Sequence, residues 1–121
     1  MRIGFIGLGN VGGKLANSLL RNKFDLTVRD LEKNLTKSFA NNGAKPVDSS
    51  KELAERVDLI ITCLPSPKIC SEVMEAKDGV INGLSKNKIW LEMSTTDESE
   101  VKRIGKLVAA KGATPLDGPV S

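Results

Sequence analysis

The sequence predicts an α/β fold in which helices cover both faces of a parallel β-sheet. Apolar runs of strand length alternate along the chain with segments that have the apolar periodicity of a helix. One of these runs, at 58–64, is almost wholly apolar, as expected for a central strand buried between two helical layers. A chain of 121 residues is long enough for one domain with a hydrophobic core. We therefore expect one domain with a doubly wound sheet of strand order 3-2-1-4-5-6.

Three strands, each followed by a helix, are predicted in the first half of the chain, at 2–6, 25–29 and 44–47. The first helix opens near Asn10, and its apolar face consists of Val11, Leu15, Ala16 and Leu19. The second helix ends at the Asn-Asn-Gly run 41–43 and carries Leu31, Leu35 and Phe39 at four-residue spacing. A capping box of Ser49 and Glu52 starts the third helix, which presents Leu53 and Val57.

The second half of the chain repeats this alternation. Beyond the strand at 58–64, Ser66 is expected to cap a helix that has Pro67 in its first turn and a buried stripe of Ile69, Val73 and Met74. A short helical turn is expected between Gly79 and Gly83. After a strand at 88–93, Thr95 and Glu98 match a capping box for a helix that buries Val101, Ile104, Leu107 and Val108. Gly112 ends that helix before a sixth strand at 113–117.

Composition excludes several classes of function. The net charge of +3 is spread along the chain without a basic block, and aromatic residues make up only 3%, so neither nucleic acid nor a membrane surface is an expected partner. Cys63 and Cys70 have neither zinc-site nor disulfide spacing, and we expect two buried thiols and no metal. Because the chain opens directly with a strand, we expect no signal peptide and a cytoplasmic location.

The glycine motif at 7–12 carries the main functional prediction. Gly7, Gly9 and Gly12 form a G-x-G-x-x-G pattern directly after a strand and at the start of a helix, which is typical of dinucleotide-binding domains. Gly7 permits the turn, Gly9 admits the pyrophosphate, and Gly12 lets the helix lie close to the strand. The free amides near Asn10 and Val11, at the positive end of the helix dipole, would bind the phosphates.

Asp30 stands 18 residues beyond Gly12, at the separation that lets a carboxylate accept the hydroxyls of the adenosine ribose. Such a carboxylate would repel a 2′-phosphate, so NAD is favoured over NADP. Asp30 could instead cap the second helix, or do both. Arg29 keeps NADP open, because a guanidinium can accommodate the additional phosphate.

The loops after the fourth and fifth strands are further candidates for cofactor contacts, because ligands of open α/β sheets lie outside the carboxyl ends of the strands. Leu64 and Pro65 occupy the first of these loops, and Thr95 the second. A plain strand-to-helix turn at Pro65 and a helix cap at Thr95 are the alternatives.

Four segments of the chain together resemble the amino-terminal domain of the β-hydroxyacid dehydrogenases, the family of 3-hydroxyisobutyrate dehydrogenase and tartronate semialdehyde reductase. These segments span the chain in family order, at 6–12, 64–65, 93–95 and 116–121. The resemblance implies NAD(P)-dependent oxidation of a small 3-hydroxy acid to a semialdehyde, or the reverse reduction. By position, the cofactor contacts would be Gly7, Leu8, Gly9, Asn10, Val11, Gly12, Asp30, Leu64, Pro65 and Thr95.

The same resemblance implies that part of the active site lies outside these residues. Ser121 would open the loop that binds the substrate carboxylate, and the catalytic lysine would follow it, on a helix leading to an all-helical domain that forms a homo-oligomer. Because the chain contains no histidine and no lysine with a clear role in the crevice, we expect it to bind cofactor without turnover.

Departures from the family pattern leave the substrate unassigned. Glu92 stands where the family usually has Asp, Glu98 where it has Pro, and Gly118 where it has Ala. The alternatives are a related enzyme on the same scaffold, such as a 6-phosphogluconate dehydrogenase or an imine reductase, and a non-catalytic NAD-sensing module.

Overall fold

Six parallel strands form one sheet in the computed structural model, which describes residues 1–94 and 97–117. The strands are β1 Arg2–Ile6, β2 Asp25–Arg29, β3 Lys45–Pro46, β4 Leu59–Thr62, β5 Ile89–Glu92 and β6 Thr114–Asp117. Their order, β3-β2-β1-β4-β5-β6, confirms the predicted topology, and β4 is central between β1 and β5. The reversal of strand order between β1 and β4 opens a crevice at the carboxyl end of the sheet.

Helices pack on both faces of the sheet and bury two separate apolar cores. They are α1 Asn10–Arg21, α2 Lys33–Asn41, α3 Ser50–Arg56, α4 Pro67–Glu75, α5 Glu98–Ala110 and a short 3-10 helix Val80–Gly83. Ala16 of α1 and Phe39 of α2 belong to one core. Leu53, Met74 and Ile104, from α3, α4 and α5, belong to the other. The α/β prediction is therefore confirmed.

Side-chain caps fix the starts of α3 and α4, as predicted. Ser49 Oγ accepts a hydrogen bond from the Glu52 amide at 3.1 Å, and Ser66 Oγ accepts one from the Ile69 amide at 3.2 Å. Pro67 occupies the first turn of α4, where its missing N–H costs nothing. Cys70, rather than Ile69, is the fully buried partner of Met74 on that helix.

The capping box predicted for α5 is wrong. Asp97 is the N-cap, and its Oδ1 accepts hydrogen bonds from the amides of Ser99 at 2.8 Å and Glu100 at 3.4 Å. The helix therefore begins at Glu98, too late for a cap at Thr95, a residue that lies outside the described part of the chain. Thr and Asp are both good N-cap residues and stand two positions apart in the sequence, and only the start of the folded helix shows that Asp97 is the cap.

Three apolar residues predicted to be buried are exposed: Val11 is 49% exposed, Leu31 77% and Leu107 39%. Val11 lies in the first turn of α1, beside the crevice. Leu31 precedes α2, which starts only at Lys33, so it is not on the helix face. Ile104, Gly105 and Val108 form the buried side of α5, and Leu107 lies on its flank.

Candidate functional site

The turn between β1 and α1 requires glycine at two positions for reasons of packing. Gly7 has φ of 103°, and a Cβ there would lie 2.1 Å from the Cys63 carbonyl oxygen. A Cβ on Gly12 would lie 2.0 Å from the Gly7 carbonyl oxygen. Both distances are impossible, so these glycines hold α1 against β1 and β4, which are the roles the sequence predicts for Gly7 and Gly12.

Gly9 differs from its two neighbours in the motif. Its φ is −68°, a value open to any residue, and a Cβ built on it meets no atom within 4 Å. The described residues therefore give no packing reason for glycine at this position. The space that a side chain would fill is the approach to the amino terminus of α1.

The first turn of α1 has no side-chain cap, because Gly9 stands at the N-cap position. The first helical bond runs from the Gly13 amide to the Gly9 carbonyl oxygen at 2.6 Å. Within residues 1–94 and 97–117, no side chain accepts a hydrogen bond from the amides of Asn10 or Val11. These amides and the helix dipole offer hydrogen bonds to an anion. Leu8, Gly9, Asn10, Gly13 and Lys14 line an open groove of about 560 Å³ here.

Asp30 bonds to the glycine turn itself. Its Oδ2 accepts a hydrogen bond from the Leu8 amide at 2.7 Å, and its Oδ1 accepts one from the Glu32 amide at 2.8 Å. The carboxylate is half-buried and ties the end of β2 to the turn after β1. Asp30 is not the N-cap of α2, since Glu32 occupies that position. Sequence reasoning missed the contact with Leu8, because the two residues are adjacent only through the pairing of β1 with β2.

The loops after β4 and β5 are joined to each other. The Leu64 amide donates a hydrogen bond to Ser94 Oγ at 2.5 Å. Pro65 is exposed beside this contact. Thr95 and Ser121 lie outside the described residues. The two loops predicted to contact the cofactor therefore form one unit around Leu64 and Ser94.

The buried carboxylate of Glu92 stabilises this pair of loops by hydrogen bonds. Glu92 is fully buried, and its Oε1 accepts a hydrogen bond from the Ser94 amide at 2.5 Å. Its Oε2 accepts hydrogen bonds from Thr62 Oγ1 at 3.1 Å and Cys70 Sγ at 3.0 Å. Trp90 Nε1 in turn donates to Thr62 Oγ1 at 2.9 Å. The signal available in the sequence was a glutamate at the end of an otherwise apolar strand.

The two thiols are poor nucleophiles in this environment. Burial, with additional effects from Glu92, raises the pKa of Cys70 far above its ordinary range. Burial and the charge of Glu92 also raise the pKa of the half-buried Cys63. The described residues contain no group of three or more side chains that could bind a metal. None of their helices is long and apolar enough to cross a bilayer.

Comparison with known proteins gives a consistent family. The family model described as the NAD binding domain of 6-phosphogluconate dehydrogenase matches residues 2–121. Mitochondrial 3-hydroxyisobutyrate dehydrogenase of Mus musculus is 36% identical over 98% of the chain, which spans 36% of that relative.

Solved structures agree with the fold. A 3-hydroxyisobutyrate dehydrogenase from Salmonella typhimurium superimposes with a TM-score of 0.90 at 25% identity, over 100% of this chain and 42% of that one. An imine reductase from Myxococcus stipitatus in complex with NADP+ superimposes with a TM-score of 0.89 at 19% identity, over 99% of this chain and 41% of that one. At this identity the second likeness concerns the fold alone.

Proposed function

Because the chain belongs to the family of NAD binding domains of the 6-phosphogluconate dehydrogenase type, we propose that it binds the cofactor of an NAD(P)-dependent oxidoreductase. The proposed reaction is oxidation of a small 3-hydroxy acid to a semialdehyde, or the reverse reduction. The activity named for the mouse relative supports this choice. Since the chain spans about a third of that relative, the activity of the whole protein is part of the proposal.

The single observation that carries the proposal is the empty space beside Gly9. Glycine is unnecessary there for φ or for packing, whereas its neighbours Gly7 and Gly12 could not be replaced. A cofactor that passes close to the amino terminus of α1 explains why position 9 carries no side chain. A pyrophosphate fits the free amides and the dipole of that helix end.

We assign the cofactor contacts to the two sides of the crevice. They are Gly7, Leu8, Gly9, Asn10, Val11, Gly12, Asp30, Leu64, Pro65 and Thr95. Asp30 holds the glycine turn through the Leu8 amide, and its oxygens retain lone pairs for a ribose hydroxyl. Ser94 holds the Leu64 loop for the nicotinamide end. When bound, the nicotinamide cofactor donates or accepts a hydride.

The substrate and the proton-transfer group belong to the remaining part of the proposal. Ser121 would contact the substrate, and a catalytic lysine after it, with a helical domain, would complete the enzyme and form a homo-oligomer. The proposed compartment is the cytoplasm, and fractionation of cells that express the protein tests it against the mitochondrial location in the mouse relative's name. Measurable NAD-dependent oxidation by the 121 residues alone would contradict the proposal that the proton-transfer group lies outside them.

Gly9→Ala tests the proposal directly. The added methyl group has room in the fold but occupies the proposed path of the pyrophosphate. We expect NAD and NADP affinities, measured by calorimetry, to fall by at least about tenfold, equivalent to about 1.4 kcal/mol. The free energy of unfolding should fall by about 0.5 to 1 kcal/mol, since Ala is a poorer N-cap residue than Gly, so affinities are compared at a temperature where both proteins are fully folded.

Gly105→Ala is the matched control. It adds the same methyl group within α5, which packs on the face of the sheet opposite to α1. The new Cβ would lie at an ordinary 3.5 Å from the Pro115 side chain, and nucleotide affinity should not change. Absence of binding to the unaltered chain at millimolar nucleotide would overturn the proposal. Unchanged affinity in Gly9→Ala would show that the space beside Gly9 is not the path of the pyrophosphate, and would overturn the proposal as well.

A further inference from the structure

Glu92 is a buried carboxylate to which the proposed function gives no role. Its side chain has no exposed surface, and across the described ranges 1–94 and 97–117 no lysine or arginine nitrogen lies within 4 Å of it. Three uncharged donors hold it instead: the Ser94 amide, the Thr62 hydroxyl and the Cys70 thiol. Burial of a charge without a cation is costly in free energy. Packing alone therefore does not explain a carboxylate at this position.

Two of these donors flank the loop between β4 and α4. Thr62 is the last residue of β4, and Cys70 lies at the end of the first turn of α4. Glu92 Oε2 accepts hydrogen bonds from both, at 3.1 Å and 3.0 Å. Burial and the hydrogen bond to Glu92 raise the pKa of Cys70, so this residue remains a thiol and donates. The carboxylate therefore fixes the two ends of the loop relative to each other.

The middle of the same loop is held through Ser94. Glu92 Oε1 accepts the Ser94 amide at 2.5 Å, and Ser94 Oγ in turn accepts the Leu64 amide at 2.5 Å. Leu64 and Ser94 follow the carboxyl ends of the neighbouring strands β4 and β5, where ligands of open α/β sheets lie. Leu64 is half-buried, and Pro65 after it is exposed. One carboxylate thus fixes the loop at both ends and, through Ser94, at its middle.

We propose that Glu92 is a positioning residue for the nicotinamide half of the cofactor. It acts through Ser94 on Leu64 and Pro65, which the proposed function assigns to that half, and the inference rests on that function. A loop that is already held in one position loses less conformational freedom when the cofactor binds. The adenosine half lies across the crevice, at the glycine turn and Asp30, and none of the hydrogen bonds of Glu92 reaches it.

Comparison of NAD with ADP separates the two halves, because ADP carries the adenosine and both phosphates but no nicotinamide. Ser94→Ala removes the acceptor of the Leu64 amide. We expect NAD affinity to fall about fivefold, as for the loss of one hydrogen bond, while ADP affinity changes less than about twofold. Glu92→Ala should have the same selective effect. Calorimetric titration of each nucleotide, at a temperature where all the proteins are folded, measures the affinities.

The conservative variant Glu92→Gln separates positioning from a change of side-chain charge. Its oxygen can still accept the Ser94 amide, so NAD affinity should stay within about twofold of that of the unaltered chain. A fivefold loss in Glu92→Gln would show that the charge, and not the hydrogen bond to Ser94, matters for binding. If Glu92→Ala does not fold, Ser94→Ala still tests the inference, because it removes a single hydroxyl group.

Ser71→Ala is the matched control. It removes the same hydroxyl group, here bonded to Glu75 at 2.7 Å within α4, and should change the affinity for neither nucleotide. Unchanged NAD affinity in Ser94→Ala, or an equal loss of NAD and ADP affinity, would overturn the inference, while NAD binding by the unaltered chain would still support the proposed function. Absence of NAD binding by the unaltered chain would overturn both.

Discussion

Two carboxylates at the carboxyl end of the sheet organise loops in different surroundings. Asp30 is half-buried, follows β2, and holds the glycine turn through one backbone amide and the start of α2 through another. Glu92 is fully buried, ends β5, and holds the Ser94 loop together with side chains of β4 and α4. Both place loop backbone at the crevice, but Asp30 borders a cavity whereas Glu92 has no exposed surface.

The difference in burial separates a ligand-facing role from an architectural one. Water or a ligand can replace a lost partner at Asp30, because the carboxylate is only half-buried and borders a cavity between α2 and the carboxyl ends of β2 and β3. At Glu92 no solvent reaches the partners, so a lost acceptor leaves buried donors without hydrogen bonds. We expect substitutions at Glu92 to affect mainly the free energy of unfolding and those at Asp30 to affect both stability and affinity.

Glu92→Ala should have the largest effect on stability. It removes the acceptor for the Ser94 amide, Thr62 Oγ1 and Cys70 Sγ and leaves a cavity, so the free energy of unfolding should fall by about 3 kcal/mol. Urea denaturation measures this change. Glu92→Gln is the control, because its side-chain oxygen still accepts, and it should cost less than Glu92→Ala. Equal stability of native protein and Glu92→Ala would contradict the architectural role.

Asp30→Ala should have an intermediate effect on stability and a strong effect on binding. Loss of the bonds to Leu8 and Glu32 should cost about 1 to 2 kcal/mol in the free energy of unfolding. Because the glycine turn loosens, NAD and NADP affinities should both fall, by about tenfold. Calorimetric titration measures the two affinities, and urea denaturation measures the change in the free energy of unfolding.

Asp25→Ala provides the control for Asp30. It removes an exposed carboxylate from the opposite end of β2, and affinity should not change. If Asp30→Ala instead strengthened NADP binding while weakening NAD binding, Asp30 would act mainly on the ribose and its 2′ substituent rather than through the turn.

Glu75 extends the comparison to a carboxylate near the surface and should have the smallest effect. Hydrogen bonds from Arg103 and then Ser71 lower the pKa of Glu75 to about 2 from its usual 4.5. Since the pKa is lower in the folded state, its contribution is present above about pH 4.5 and is lost as the pH falls towards 2. Glu75→Gln should cost less than about 1 kcal/mol near neutral pH, because Arg103 is 45% exposed, and should flatten the acid limb of the stability profile. Parallel profiles for native protein and Glu75→Gln would contradict this pairing.

Sequence patterns predicted the framework of the fold because they are local. The alternation of strands and helices, the caps at Ser49 and Ser66, and the turn glycines Gly7 and Gly12 follow from side-chain chemistry within a few residues. The errors arose where local signals compete. Asp97 rather than Thr95 could be recognised as the cap of α5 only once the backbone path was known.

The candidate site divides in the same way. The glycine motif and Asp30 could be found from spacing alone, because the motif follows a strand and opens a helix. The contact of Asp30 with the Leu8 amide could not, nor could the bond from Leu64 to Ser94. Each of these contacts joins residues at the ends of different strands. The pairing of the strands brings them together, and their separation in the sequence does not reveal that pairing.

The sequence by itself determined the parallel α/β architecture and the position of the dinucleotide turn, because periodicity and glycine spacing are local. The strand order followed from the fold of which this glycine motif is typical. Tertiary structure alone decided that Asp30 holds that turn and that Glu92 supports the opposing loops. Hydrogen bonds and charges act over a few ångströms, and only the folded sheet brings distant residues within that range.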